Sequence, residues 1–153
     1  MNGNNKKFDE RQLWIRGNIF QRMFIIIAVL VLINALLDKS GIVWADNFYS
    51  NLIILFVSVA FGSLEMIFRE VYFVNMRQRW IFIMFGIDGL IILAINIKFL
   101  ITGDAFVSNN SLTTTGSSFI FALLILSIGI GGAVKTIFDK LNNKEKEENE
   151  EKE

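Results

Sequence analysis

Apolar residues in this chain gather into four long blocks, at about residues 19–37, 51–68, 80–101 and 119–138, separated by short polar stretches. A bilayer core about 30 Å thick takes roughly 20 helical residues at about 1.5 Å of rise each, and the blocks match or approach that length. The pattern predicts an all-α polytopic membrane protein with four transmembrane helices in a bundle. The chain contains no Pro, so no span carries a proline kink, and any loosening of a helix must come from Gly.

The polar stretches complete the layout. Residues 1–22 mix Leu13, Trp14, Ile15, Ile19 and Phe20 with Arg11, Arg16 and Arg22. This predicts an N-terminal amphipathic helix at the membrane interface, its arginines snorkelling toward phosphates, or else a solvated flank leading into the first span. A cleaved signal peptide is not expected, because no small-residue cleavage site follows the apolar stretch. Spans one and two are joined by Asp38-Lys39-Ser40-Gly41 and then Trp44, Phe48 and Tyr49, aromatics suited to a water–membrane boundary. Arg69, Arg77 and Arg79 mark the turn into span three, and residues 102–118, rich in Ser, Thr, Asn and Gly, read as an exposed loop. The tail, residues 139–153, is dominated by Asn, Lys and Glu, and is expected to be disordered or a solvated helical extension.

Composition agrees with a membrane address: 53% of residues are hydrophobic and the mean hydropathy is +0.48. The formal net charge of zero hides a strong segregation. With both termini cytoplasmic, thirteen of the fifteen Lys and Arg residues lie inside and only Lys39 and Lys98 outside, the arrangement that the positive-inside rule favours. The prediction is therefore a multi-pass protein of the cytoplasmic membrane with both ends inside.

Candidate chemistry is sparse. The absence of Cys and His removes disulfides, thiolate nucleophiles, the usual zinc sites and histidine acid–base catalysis. No phosphate-binding loop, zinc-protease helix or nucleophile elbow is present. Neither charged end resembles a nucleic-acid-binding arm. No enzyme activity, metal or cofactor is expected.

The residues that stand out are polar groups inside the spans. Asp88 lies eight residues past Trp80, about 12 Å into the core, where an Asp costs roughly 2.5–3.5 kcal/mol. It is expected to face the protein interior, either as a proton- or cation-binding group or as a neutral carboxyl bonded to another span. Asn96, Ser58 and Ser127 are its candidate companions, with Ser127 at a similar depth. On span three, Asp88, Gly89 and Asn96 fall within a sector of roughly 100°, read as the packing face. On span two, Asn51, Ser58, Gly62, Glu65 and Arg69 stack within roughly 60°, a stripe expected to meet other helices or a crevice. Glu65 and Arg69 form an i, i+4 pair at the inner surface. Ala122, Gly129 and Ala133 make a small-residue strip on span four that suits close helix packing.

Asp9-Glu10-Arg11-Gln12, followed by a basic amphipathic stretch and four spans, resembles uncharacterised small bacterial four-helix integral membrane proteins that begin with a D-E-R-Q type motif. The resemblance implies a bacterial cytoplasmic-membrane address and no particular activity. Small multidrug transporters carry their membrane carboxylate in the first span, where this chain has none, and holins end in a charged tail that is here more acidic than basic. Two functions are weighed: a non-enzymatic accessory or regulatory membrane protein, and a small oligomeric proton- or cation-coupled transporter or channel using Asp88. Expected partners are the lipid bilayer and either a second copy or a cytoplasmic protein, and no nucleic acid.

Overall fold

A computed structural model of the chain describes residues 9–72 and 80–150, with backbone alone at 143 and 145–150. Arg77 and Arg79, placed in the turn before span three, lie outside the described residues. Four helices carry the fold: α1 (Glu10–Lys39), α2 (Asn47–Phe68), α3 (Trp80–Ile101) and α4 (Thr114–Glu150). All four are long and apolar enough to cross a membrane, α4 over its Thr114–Asn142 portion.

Each boundary has a local cause. Asp9 caps α1: its side chain accepts from the Gln12 amide at 2.6 Å, while the Gln12 side-chain oxygen accepts from the Asp9 amide at 3.2 Å. This reciprocal box satisfies two amides that the first turn leaves unpaired. The first and last residues of the D-E-R-Q stretch thus start a helix. Asp46 caps α2 by accepting from the Phe48 amide at 2.9 Å, and the Thr113 hydroxyl caps α4 by accepting from the Gly116 amide at 3.1 Å. Helices α1 and α3 end in paired reverse bonds, Ile42 N to Leu37 O at 3.0 Å and Asp104 N to Phe99 O at 3.1 Å, with Gly41 and Gly103 at positive φ as this ending requires.

Residues 1–8 of the expected N-terminal interfacial segment lie outside the described residues, and among the described residues the segment forms no separate interfacial helix from Glu10 onward. It is continuous with span one as a single 30-residue helix, because nothing between Arg16 and Met23 interrupts it and Gly17 costs only about 1 kcal/mol in a helix interior. At about 1.5 Å per residue, α1 is some 45 Å long and outruns a 30 Å core. The charged tail is likewise helical to Glu150, as Glu and Lys have high helix propensity and recur at spacings that support one another.

The helices stand in an open row, with α1 against α2, α2 against α4, and α4 against α3. Among the described residues, no substantial contact joins α1 to α3 or α4, so α1 meets the other helices chiefly through α2. Burial follows the row: 44% of the most apolar window is buried in α2 and 39% in α4, against 6% in α1 and 17% in α3. One apolar cluster joins Ala60 and Ile67 of α2 to Phe82 of α3 and Ile128 of α4; another joins Ile19 of α1 to Met66 and Val71.

Two small devices lock the end of the row opposite the termini. Strands β1 (Val107–Ser108) and β2 (Ser111–Leu112) pair antiparallel around Asn109 and Asn110, both at positive φ, as a two-residue type I′ turn demands. Leu112 then bridges to Ala45, its amide donating to the Trp44 carbonyl at 2.7 Å. The loop read as merely exposed therefore ties the α3–α4 connection to the α1–α2 connection. Trp44 also donates from its indole to the Asn34 side-chain oxygen at 2.7 Å, fixing the first connection to α1.

Candidate functional site

The α1–α2 contact is built from the predicted stripe on α2. Ser58 is buried and donates to the Met23 carbonyl of α1 at 2.8 Å. At Gly62 a β-carbon would fall 2.0 Å from the Met23 sulfur, so the lack of a side chain is what lets Met23 lie there. One turn further, Glu65 Oε1 meets Arg22 of α1 at 2.7 Å and Arg69 at 2.8 Å. The predicted i, i+4 pair is present, and it extends across the helix interface. Arg22 therefore has a protein partner, where the sequence suggested only snorkelling. Among the described residues, Glu65 Oε2 is buried without a hydrogen-bond partner, because both guanidinium groups fall on the other oxygen. Asn51, the far end of the stripe, is exposed and donates to the Asn47 carbonyl at 2.8 Å.

A second ionic cluster lies at the same end. Lys135 of α4 contacts Glu70 at 2.6 Å and Asp139 at 2.9 Å. Glu70 follows α2 in the left-handed region, at φ 60°. Val71 N donates to Met66 O at 3.0 Å and Glu70 N to Ile67 O at 3.2 Å, with Met66 and Val71 packed together, so α2 ends like α1 and α3 but with Glu where they have Gly. A left-handed conformation costs a residue with a side chain roughly 1–2 kcal/mol. Here it sends the carboxylate toward α4. The Lys135–Asp139 spacing was readable in the sequence as an i, i+4 pair; the Glu70 link was not, since 65 residues separate it from Lys135.

The α3–α4 contact is a close backbone approach. A β-carbon on Gly129 would sit 2.5 Å from the Gly86 Cα, and one on Gly89 2.8 Å from the Leu126 amide nitrogen. Gly89, Gly129 and Ala122 are buried in the contacts where packing was expected, whereas Ala133 is exposed and lines an apolar groove. Gly86, the direct neighbour of Gly129, was missed, although as an i, i+3 neighbour it shares a helix side with Gly89. Asn96 is buried and donates to Ile92 O at 2.8 Å and Ser118 Oγ of α4 at 3.0 Å. Ser127 donates to Leu124 O at 2.7 Å within its own helix.

Asp88 does not face the interior. It is exposed on α3, and among the described residues it has neither a hydrogen bond nor an ion pair. Helix geometry gives the reason. Gly89 and Asn96 differ by seven residues and nearly superpose on the α4-facing side, whereas Asp88 is offset from Gly89 by about 100°. With Phe82 nearly in line with Gly89 and Gly86 on the other flank of the contact, Asp88 is rotated out of it. The four polar residues read as one candidate site are therefore not brought together: Ser58 bonds to α1, Asn96 to α4, Ser127 within α4, and Asp88 has no polar partner among the described residues. Among the described residues, no cluster of acidic groups suits a metal ion.

The grooves are apolar. One of about 560 Å³ runs between α3 and α4, with Ile83, Ile87, Leu126 and Ala133 in its walls; another of about 190 Å³ lies beside Leu30, Asn34 and Trp44. Neither includes Asp88 or Glu65. Comparison with protein-family models, with curated proteins and with solved structures finds no match for this chain.

Proposed function

We propose that this chain is a non-enzymatic accessory or regulatory protein of the bacterial cytoplasmic membrane, with both termini inside, acting by contact with other proteins. The observation that carries the reading is the dispersal of its intramembrane polar groups. A carrier or channel within one chain needs polar side chains converging on a shared cavity. Here Ser58, Asn96 and Ser127 each bond within the fold, while Asp88 is on the outer surface of α3. The docking face is the end bearing the termini, where α1 and α4 are long enough to project past the bilayer and Glu10, Arg11, Lys140 and Lys144 are exposed.

Flux in proteoliposomes and cross-linking in native membranes test this together. The expected result is no proton or cation flux above empty liposomes, for wild type or Asp88→Asn, and a cytoplasmic-side cross-link to a second protein. Flux that Asp88→Asn abolishes, with insertion unchanged, would replace the proposal by the competing reading, an oligomeric ion-coupled transporter or channel.

A further inference from the structure

We infer that the outer face of α3 is a self-association seam, and that Asp88 sets its register by bonding to Asp88 of a second copy. Ile81, Met84, Asp88, Ile91 and Ile95 follow one another at intervals of three, four, three and four residues, and all five are exposed. That is the repeat with which two helices pack side by side at a shallow left-handed crossing. The stripe is apolar except at its centre. A lone polar residue in such a repeat fixes register and partner number, because any slip leaves it facing hydrocarbon.

The occupant is a second copy because the chain's charge pattern and the carboxyl group both call for one. On the topology proposed above, thirteen of the fifteen cations lie on one side of the spans, so all copies insert the same way up, and two of them related by an axis along the membrane normal place each residue opposite itself. Asp88 then meets Asp88 at equal depth. A protonated carboxyl donates through its O–H and accepts through its carbonyl oxygen, so it is its own complement. The chain's other candidate on this helix, Lys98, is ten residues on and about 15 Å further along the axis, out of reach of Asp88 in a parallel pair. This association is independent of the docking face proposed above, since it uses the membrane-embedded side of α3.

The absence of native cysteine makes the test direct. Single cysteines at Met84, Ile91 and Ile95 on the seam, and at Ile83 on the groove side, are oxidised in liposomes over a series of protein-to-lipid ratios. Disulfides require Cα atoms about 4.4–6.8 Å apart, so they report face as well as proximity. Met84→Cys, Ile91→Cys and Ile95→Cys are expected to give dimers at ratios where Ile83→Cys gives none. Adding Asp88→Leu to Ile91→Cys should raise the protein density needed for half-maximal dimer about tenfold, or about 1.4 kcal/mol. Adding Asp88→Asn, which keeps a donor and an acceptor, should shift it less than about threefold. Equal cross-linking at Ile83 and the seam, no seam dimer from protein whose helicity matches wild type, or a seam dimer that Asp88→Leu leaves unchanged would each overturn the inference. None of these outcomes depends on flux or on a cytoplasmic partner.

Discussion

Replacing Gly129 by Ala should destabilise the protein, although helix propensity alone says the opposite. In an unpacked helix the change favours the folded state by about 1 kcal/mol. At this position the new β-carbon would stand 2.5 Å from the Gly86 Cα and 2.6 Å from its nitrogen, closer than the 3.0 Å below which something must shift. Both obstacles are backbone, so no rotamer change relieves them, and α3 and α4 must part by roughly an ångström, forfeiting a quarter to a half of the dispersion energy of nearby contacts. Overpacking costs about 1–3 kcal/mol, and two immovable backbone contacts place this site in the upper part of that range, about 2–3 kcal/mol, which leaves a net loss of about 1–2 kcal/mol after the propensity gain. Gly17→Ala is the internal control: nothing lies within 4 Å of a β-carbon there, so the variant should gain up to about 1 kcal/mol. Reversible unfolding by SDS in mixed micelles, followed by far-UV circular dichroism, reads both. A Gly129→Ala protein as stable as wild type, or one shifted in the same direction as Gly17→Ala, would refute the close approach of α3 and α4.

Three further outcomes are expected. A double-mutant cycle on Arg22→Ala and Glu65→Ala should give a coupling of about 0.5–1 kcal/mol that shrinks in high salt, since the Arg22 side chain is 45% exposed while that of Glu65 is 15% exposed; the same SDS titration measures it. Glu70→Gly should be more stable than Glu70→Ala by about 1 kcal/mol, because both lose the Lys135 contact but only Gly relieves the left-handed backbone. Asp9→Ala should cost about 1 kcal/mol and appear as faster amide hydrogen exchange confined to the first turn of α1.

Much of the fold was legible because its signals are local. The four long apolar helices follow from block length, and the α2 stripe follows from spacing, since Ser58, Gly62 and Glu65 share a side whatever that side meets. Other features depended on contacts between distant segments. The row order requires knowing which face each helix buries, and four nearly all-apolar helices advertise several faces equally. Asp88 illustrates the limit. Its depth could be read, and its sector could be bounded to roughly 100°, but the contact centres on Gly89 and Phe82 and leaves Asp88 just beyond its edge. The expectation that a costly carboxyl turns inward treats one chain as the whole assembly. The helix cap at Asp9 and the Asn109-Asn110 turn were readable as local motifs. The first was obscured by reading its four residues only as a motif of resemblance, the second by taking its polar neighbourhood for an exposed loop.

The row has a consequence for how the chain is made. Helix α4 is synthesised after α3 yet stands between α2 and α3, so α3 leaves the ribosome before the helix it packs on exists. About forty residues separate the end of α3 from the far end of the α4 span, roughly 2–8 s of translation at 5–20 residues per second. For that interval Gly86 and Gly89 lack the α4 backbone they pack against, while the α1–α2 hairpin is already complete. Arrival of α4 then supplies the neighbour of both α2 and α3 at once, whereas the bond between Leu112 and Trp44 needs only the chain up to Leu112. A chain stopped before Thr114 retains a finished first half and strands its third helix.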